Sequence, residues 1–152
     1  IRYPRGRGVI PDWNQEFQKV PLGKGEQRKE GSEIAIRSVG NTAENVVNAI
    51  KIIPEPGKIA HFDAKFVKPL DEDMLHEILK KFSKVITIED GVITGGFGSA
   101  VLEFASKNDY KLKIRCLGVP DKFIEQGSVD ELYEIAKMDV QGIVTTIKNL
   151  LK

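Results

Sequence analysis

The chain has 152 residues, of which 41% are hydrophobic and 30% are charged, and its 23 Lys and Arg nearly balance its 22 Asp and Glu. This length suits one domain with its own core and excludes two full ones. The near-neutral charge argues against nucleic acid or an anionic membrane as the main partner, and no apolar run approaches the roughly 20 residues that span a bilayer. A single cysteine, Cys116, excludes a disulfide framework and a cysteine-ligated zinc site, and fits a reducing compartment.

The first 30 residues differ from the rest in charge and in periodicity. They carry seven Lys or Arg against four Asp or Glu, and three prolines and four glycines interrupt them, which favours turns and extended chain over helix. We predict that residues 1–8 are an extended segment of a preceding unit. Residues 9–30 are predicted to be a linker with a short hairpin near Gly23–Gly25. Because the chain opens at Ile1 rather than methionine, we expect it to be a piece of a longer protein.

From Ser32 onward, strand-like and helix-like windows alternate. Short apolar runs predict four strands, at residues 34–39, 59–62, 85–88 and 112–117. Apolar residues at helical spacing predict helices between these strands and at the end of the chain. The predicted helix caps are Asn41 with Glu44, Asp71, and Ser128 with Glu131. The alternation predicts right-handed crossovers and an α/β fold, with a mostly parallel sheet covered by helices on both faces.

A glycine-rich turn, Gly95-Gly96-Phe97-Gly98-Ser99-Ala100, follows the third of these strands. Backbone amides at the start of the next helix can hold an anion there. However, Val101 occupies the third glycine position of the dinucleotide fingerprint, and no Gly-Lys-Ser/Thr of a P-loop follows. The sequence therefore favours a tight turn that packs helix on sheet, with phosphate binding as the open alternative.

Four carboxylates are expected near the carboxyl ends of the strands, where open α/β sheets bind ligands: Asp63, Glu89, Asp90 and Asp121. Such a cluster can hold a metal or act as acid and base. No His, Cys or Lys is placed with it, so capping and solvation are favoured. His61 and His76 lack metal-ligand spacing, and Cys116 is expected to be a small buried hydrophobe. We assign no catalytic, cofactor-binding or metal-binding residue among these groups.

Three arginines, Arg2, Arg5 and Arg7, lie within six residues near the start of the chain. Guanidinium groups can fork onto a phosphate. In extended chain, however, side chains alternate between faces, so at most some of the three converge. Composition alone therefore favours a solvated strand end, and the basic surface is too small to predict nucleic-acid binding.

Five motifs occur in order along the chain: Arg2-Tyr3-Pro4-Arg5-Gly6, Pro21-Leu22-Gly23-Lys24-Gly25, Phe66-Val67-Lys68-Pro69-Leu70-Asp71, Gly95-Gly96-Phe97-Gly98-Ser99-Ala100-Val101, and Leu117 to Gly127. In order and spacing they resemble the C-terminal part of the 1-deoxy-D-xylulose-5-phosphate synthases, transketolase-like enzymes that depend on thiamine diphosphate. The resemblance spans essentially the whole chain. The run from Gly118 to Gly127 discriminates best, because the related β subunits of 2-oxo acid dehydrogenases share the Gly-Lys and Pro-Leu-Asp motifs but not this run. One departure, Glu89-Asp90-Gly91 where the family often has a second glutamate and then asparagine, argues against giving Asp90 a role.

The resemblance implies a three-layer α/β domain with a five-stranded, mostly parallel sheet and one antiparallel strand. Residues 31–152 would be the transketolase C-terminal domain, and residues 1–30 the end of a pyrimidine-binding domain plus a linker. The implied enzyme is a cytoplasmic, homodimeric transferase that joins pyruvate to D-glyceraldehyde 3-phosphate with loss of carbon dioxide, on the isoprenoid precursor pathway. Neither nucleic acid nor membrane is an expected partner.

The resemblance also implies where the chemistry resides. Thiamine diphosphate and Mg²⁺ would be held by the upstream domains of the same polypeptide, so this chain alone is expected to bind neither and to be inactive. Arg5, the second arginine of its motif, matches the residue that grips the phosphate of the aldehyde substrate. Two other interpretations stay open: the C-terminal domain of a transketolase or of a 2-oxo acid dehydrogenase β subunit, and a free-standing docking module on the same fold.

Overall fold

The computed structural model describes residue 16 and residues 18–152. Five strands form one sheet in the order β1-β3-β2-β4-β5. The strands are β1 (Glu26–Lys29), β2 (Ile34–Val39), β3 (Ile59–Asp63), β4 (Lys84–Val92) and β5 (Lys113–Val119). The helices are α1 (Thr42–Ile52), α2 (Glu72–Lys81), α3 (Phe97–Lys107), α4 (Val129–Ile135) and α5 (Val140–Leu151), with one 3₁₀ turn at Pro56–Lys58.

The sheet has a hydrophobic layer on each face, because its central strands bury both sets of alternating side chains. On one face, Ile34 and Ile36 of β2 pack with α1 and α5. On the other face, Ala35 of β2 and Val85 of β4 pack with α2 and α3. Apolar runs buried on both sides are typical of parallel strands between helices. The predicted three-layer α/β fold, with four parallel strands and one antiparallel strand, is confirmed.

The antiparallel strand is β1, which lies inside the segment that the sequence assigned to the linker. Glu26 pairs with Asp63 and Lys29 pairs with His61, so β1 adds to the outer edge of β3. The prediction of a short hairpin near Gly23–Gly25 is wrong within the described residues, because the turn there leads into β1, whose partner is β3. A polar strand is stable at this edge because one of its sides faces solvent.

The other predicted elements agree closely with the structure. β2 has the predicted bounds, and the other three predicted strands are each longer by one to five residues. The caps at Asp71 and Ser128 are confirmed, the latter as a full capping box with Glu131. The capping box predicted for Asn41 is wrong, because its side chain makes no cap bond and instead donates to the hydroxyl of Tyr133 at 2.7 Å.

The chain that arrives at β1 is fastened to the start of α2. The amide of Gly25 donates to the carboxylate of Asp71 at 2.9 Å, and Nζ of Lys24 lies 3.3 Å from the same carboxylate and 2.7 Å from that of Asp73. Burial acts to raise the pKa of Asp71, but the amides of Gly25 and Met74 together with Lys24 outweigh it, and the pKa lies below its usual range. Two of the five sequence motifs therefore contact each other at this carboxylate.

In the described part of the chain, none of the helices is both long and apolar enough to span a bilayer.

Candidate functional site

A crevice is expected where the carboxyl ends of β2 and β4 lie side by side. From β2 the chain passes through α1 on one face to β3, and from β4 it passes through α3 on the opposite face to β5. The two connections diverge between neighbouring parallel strands, and such switch points are the usual ligand sites of open α/β sheets. The candidate site therefore comprises the ends of β2 and β4 and the starts of α1 and α3.

The glycine-rich turn at this crevice already holds an anion, and that anion belongs to the protein. Glu89, buried near the end of β4, accepts hydrogen bonds from the amides of Phe97 and Gly98, both at 2.8 Å. These are the first amides of α3, which a phosphate would otherwise use. The structural interpretation favoured by the sequence is confirmed. Because the carboxylate occupies the amides and repels a second anion, this turn does not fit a diphosphate.

The close approach of Glu89 explains a glycine in the turn. A Cβ atom at Gly96 would overlap the carbonyl oxygen of Val92 and the carboxylate of Glu89. Any larger residue at this position would push the carboxylate off the helix amides, so the glycine keeps α3 seated on β4.

A second set of polar groups lies at the same ends of β2 and β4, on the side of α4. The hydroxyl of Tyr133 accepts from Asn41 at 2.7 Å and donates to the carboxylate of Asp90 at 3.2 Å. Burial and the charge of Asp90 raise the pKa of Tyr133 to about 12, so the phenol stays protonated at neutral pH. Tyr133 therefore joins the ends of β2 and β4 to α4 as a neutral hydrogen-bonding group. Sequence reasoning missed it, since its two partners are 43 and 92 residues away.

Three of the four carboxylates named from the sequence accept hydrogen bonds from different partners. Asp63 accepts from Arg28 at 3.1 Å and from the amide of Lys65 at 3.0 Å, and Asp121 is exposed after β5. Glu89 accepts from the first amides of α3, and Asp90 accepts from Tyr133. Asp63, Glu89 and Asp90 therefore each serve local structure. Among the residues that the structure describes, no group of three or more His, Cys, Asp or Glu is arranged to hold a metal ion.

Arg37 is a fully buried cation that sequence reasoning missed. It lies on β2 beside Thr87 of β4, and its guanidinium carbon sits 5.5 Å from the centre of the Phe97 ring. Across the described residues, its three side-chain nitrogens and the hydroxyl of Thr87 have no hydrogen-bond partner. Burial lowers the pKa of Arg37 to about 10 against the opposing charge of Asp71, so it remains a cation at neutral pH. The ring of Phe97 and the carboxylate of Asp71 are the groups that stabilise this charge.

The structure brings Ser38 and His61 together on the opposite face of the sheet. The hydroxyl of Ser38 lies 2.8 Å from Nε2 of His61, and both side chains are buried. Burial lowers the pKa of His61 to about 4, and the charge of Asp63 opposes this shift. The imidazole is therefore neutral at pH 7. Because Ser38 is fully buried, the pair satisfies polar groups in the core and offers a substrate no access to the hydroxyl.

His76 and Cys116 also serve packing. Nδ1 of His76 lies 2.7 Å from the hydroxyl of Tyr110, which joins α2 to the segment after α3. Cys116 is partly buried, and a Cβ atom built at Gly98 would lie 2.7 Å from its sulfur. The thiol thus fills the space that the glycine leaves between α3 and β5, close to the role predicted for it.

Arg5, the substrate-phosphate residue implied by the resemblance, lies outside the described residues, as do Arg2 and Arg7. Its assignment stays a prediction.

Comparison with known proteins gives a consistent family relationship. Residues 23–143 match the family model described as the transketolase C-terminal domain. The chain is similar to the 1-deoxy-D-xylulose-5-phosphate synthase of Parabacteroides distasonis, with 48% identity over 149 residues covering 97% of this chain and 24% of that protein. For the synthase of Phocaeicola vulgatus the values are 51% over 145 residues, 94% and 23%. The chain thus spans about a quarter of the length of these relatives, and the resemblance based on five motifs is confirmed.

Solved structures share the fold. A split gene transketolase, described as an "inactive beta4 tetramer" (a name unrelated to strand β4 here), superimposes with a TM-score of 0.78 at 27% identity. The match covers 88% of this chain and 44% of that one. The transketolase of Campylobacter jejuni gives a TM-score of 0.57 at 14% identity, covering 84% of this chain and 18% of that one. At that identity, the second similarity shows the fold alone.

Replacing Glu89 by alanine tests whether its carboxylate occupies an anion site. The Glu89→Ala variant loses two charge-assisted hydrogen bonds at the start of α3, so its free energy of unfolding in urea should fall by about 2–3 kcal/mol. Phosphate at constant ionic strength should then stabilise the variant, because the vacated amides bind it, and should leave the wild-type protein unchanged. The exposed Glu103→Ala on the same helix is the matched control and should change stability by less than about 0.5 kcal/mol. Equal stabilisation of the wild type by phosphate would contradict the occupied site.

The buried His61 should make the protein less stable in mild acid. Its pKa is near 6.5 in the unfolded chain and about 4 in the folded one, so the unfolded state binds a proton first as the pH falls. Stability is therefore full above pH 6.5 and is lost progressively between pH 6.5 and 4, by up to about 3 kcal/mol. In urea titrations at pH 7 and pH 5, His61→Gln should show a smaller difference than the wild type. A His61→Gln profile parallel to the wild type would refute the assignment.

Proposed function

Because the chain belongs to the transketolase C-terminal domain family, we propose that it is the C-terminal part of a 1-deoxy-D-xylulose-5-phosphate synthase. The observation that carries the proposal is that relatives bearing this name match the chain almost end to end at close to half identity. The complete enzyme would join pyruvate to D-glyceraldehyde 3-phosphate, release carbon dioxide and form 1-deoxy-D-xylulose 5-phosphate for isoprenoid precursors. It would be a homodimeric transferase, and the reducing compartment that fits its single cysteine would be the cytoplasm.

Thiamine diphosphate and Mg²⁺ would bind to the upstream domains. The cofactor supplies the carbanion chemistry on pyruvate, and the protein orients and polarises. Two features of this chain support an upstream location: Glu89 fills the helix start at the glycine-rich turn, and the acidic side chains near the strand ends serve local hydrogen bonds. The described domain would therefore be a scaffold that supports the dimer and performs no catalysis alone. The solved transketolase that shares its fold and is described as inactive supports this division.

Residues 1–30 would be the end of the preceding pyrimidine-binding domain plus the linker, and residues 31–152 the C-terminal domain. The linker also contributes its last residues to the sheet as β1. Within this arrangement we propose that Arg5 binds the phosphate of D-glyceraldehyde 3-phosphate. A charge-assisted contact of that kind contributes about 1.5–3 kcal/mol.

A transketolase or a 2-oxo acid dehydrogenase β subunit is the second candidate, since the solved transketolases share the fold. The run from Gly118 to Gly127 and the higher identity to the synthases favour the first proposal. A full-length protein that forms 1-deoxy-D-xylulose 5-phosphate from pyruvate and D-glyceraldehyde 3-phosphate would exclude the second.

Removing the Arg5 guanidinium tests the acceptor site. In the full-length enzyme, Arg5→Ala should lower kcat/KM for D-glyceraldehyde 3-phosphate by roughly 10- to 100-fold, because about 1.5–3 kcal/mol of phosphate binding is lost. The partial reaction with pyruvate alone should stay within about twofold of the wild type, since pyruvate carries no phosphate. Steady-state kinetics with each substrate varied, together with pyruvate consumption in the absence of the acceptor, measure both quantities.

Arg7→Ala is the matched control, because it removes the same charge two residues away and should affect neither reaction. Equal losses in the two reactions of Arg5→Ala would remove Arg5 from the acceptor site while leaving the synthase assignment intact.

A further inference from the structure

All four parallel strands end at one edge of the sheet, here called the carboxyl edge, and the chain also enters the domain there. β1 runs antiparallel to β3, and its first residue, Glu26, pairs with Asp63, the last residue of β3. Residues before Glu26 therefore arrive from the carboxyl edge. Asp71 at the start of α2 holds the arriving chain through Gly25. Whatever precedes this point in the polypeptide is delivered to that edge.

An exposed apolar side chain stands at the same edge. Residues 120–128 follow β5 without helix or strand, and Phe123 within them is fully accessible, with a relative exposure of 106%. Val129, which begins α4, is also exposed. Isolated exposed apolar residues are common. This one lies in the run that best separates the synthase family from its relatives, yet none of the described residues covers its ring.

Charge at this edge complements the start of the chain. Residues 121–135 carry five carboxylates and one lysine, whereas residues 1–8 carry three arginines and no carboxylate. A surface with an apolar anchor inside an acidic rim suits a partner that presents basic groups around an apolar pocket.

We propose that the carboxyl edge, with Phe123 as its apolar anchor, is the surface on which the upstream domains of the same polypeptide dock. The inference rests on the proposed function, which places about three quarters of the enzyme outside this chain. A unit connected through Glu26 is held beside this edge at high effective concentration. The same unit of a second copy lacks that advantage, so docking within one polypeptide is favoured.

Site-specific photo-crosslinking in the full-length enzyme tests the proposal. Phe123 is replaced by p-benzoylphenylalanine, the enzyme is irradiated, and the crosslinked peptides are identified by mass spectrometry. The expected product joins position 123 to a residue upstream of Ile1 within one polypeptide, so it migrates near the mass of a single chain. The control carries the same photoreactive group at Ile52, another exposed apolar residue, with a relative exposure of 55%, at the end of α1 by the opposite edge of the sheet. It should give at least fivefold less of this product.

Each other outcome overturns a defined part of the account. A product at twice the chain mass means that the edge docks on a second copy, and equal yields from positions 123 and 52 mean that it docks on nothing in particular. Synthase activity of the unsubstituted full-length enzyme, measured in parallel, separates the two proposals. Activity without the expected crosslink refutes the docking surface alone, and the crosslink without activity refutes the synthase assignment alone.

Discussion

The carboxylate of Glu89 on the first amides of α3 is the interaction on which the character of this domain depends. Helix starts at the carboxyl ends of parallel strands are the positions where α/β proteins usually hold phosphates. Here the position is filled from within, by a buried side chain that accepts two hydrogen bonds at 2.8 Å. The contact fixes α3 on β4 and also removes the most obvious anion site of the fold.

Other buried polar and charged groups are likewise held by contacts within the domain. His61 is kept neutral beside Ser38, Tyr133 is kept protonated between Asn41 and Asp90, and Arg37 is enclosed against Phe97. Each group resembles a catalytic residue in chemical type, but none combines access to solvent with a pKa suited to proton transfer near neutral pH. At the carboxyl edge, by contrast, the chain enters through Glu26 and Phe123 is exposed. These features and the family relationship support the proposal that the domain is one part of a larger protein.

Most of the fold was predictable from the sequence, because burial on both sides of the central strands leaves continuous apolar runs. The family resemblance implied one antiparallel strand, but the residues of β1 were not identified, because Glu26 to Lys29 are polar and their pairing depends on main-chain bonds to β3 and on ion pairs such as Arg28 with Asp63. The Asn41 cap was wrongly predicted because a local pattern lost to a partner on α4 that only the tertiary fold brings near.

In the candidate site, too, features with a local sequence signal were predicted, and contacts that depend on the tertiary fold were missed. The prediction of a tight turn at residues 95–98 was correct, because the local sequence alone shows that the dinucleotide and P-loop patterns are not met. Glu89, whose carboxylate holds the start of α3 at this turn, was predicted only as one of four carboxylates near the strand ends. Its role was not predicted, because it depends on how α3 packs back against β4. Ser38 and His61 come together because of the parallel register of β2 and β3. Arg37 lies opposite Thr87 because of the parallel register of β2 and β4. Neither contact leaves a signal in the spacing along the chain.

Calorimetry with thiamine diphosphate and Mg²⁺ tests the division of labour most directly. The 152-residue chain and the full-length enzyme are titrated in parallel under identical conditions. We predict binding heat for the full-length enzyme and none for the chain, because the proposed function places the groups that hold the diphosphate and its cation in the upstream domains. Micromolar, magnesium-dependent binding by the chain alone would contradict the account.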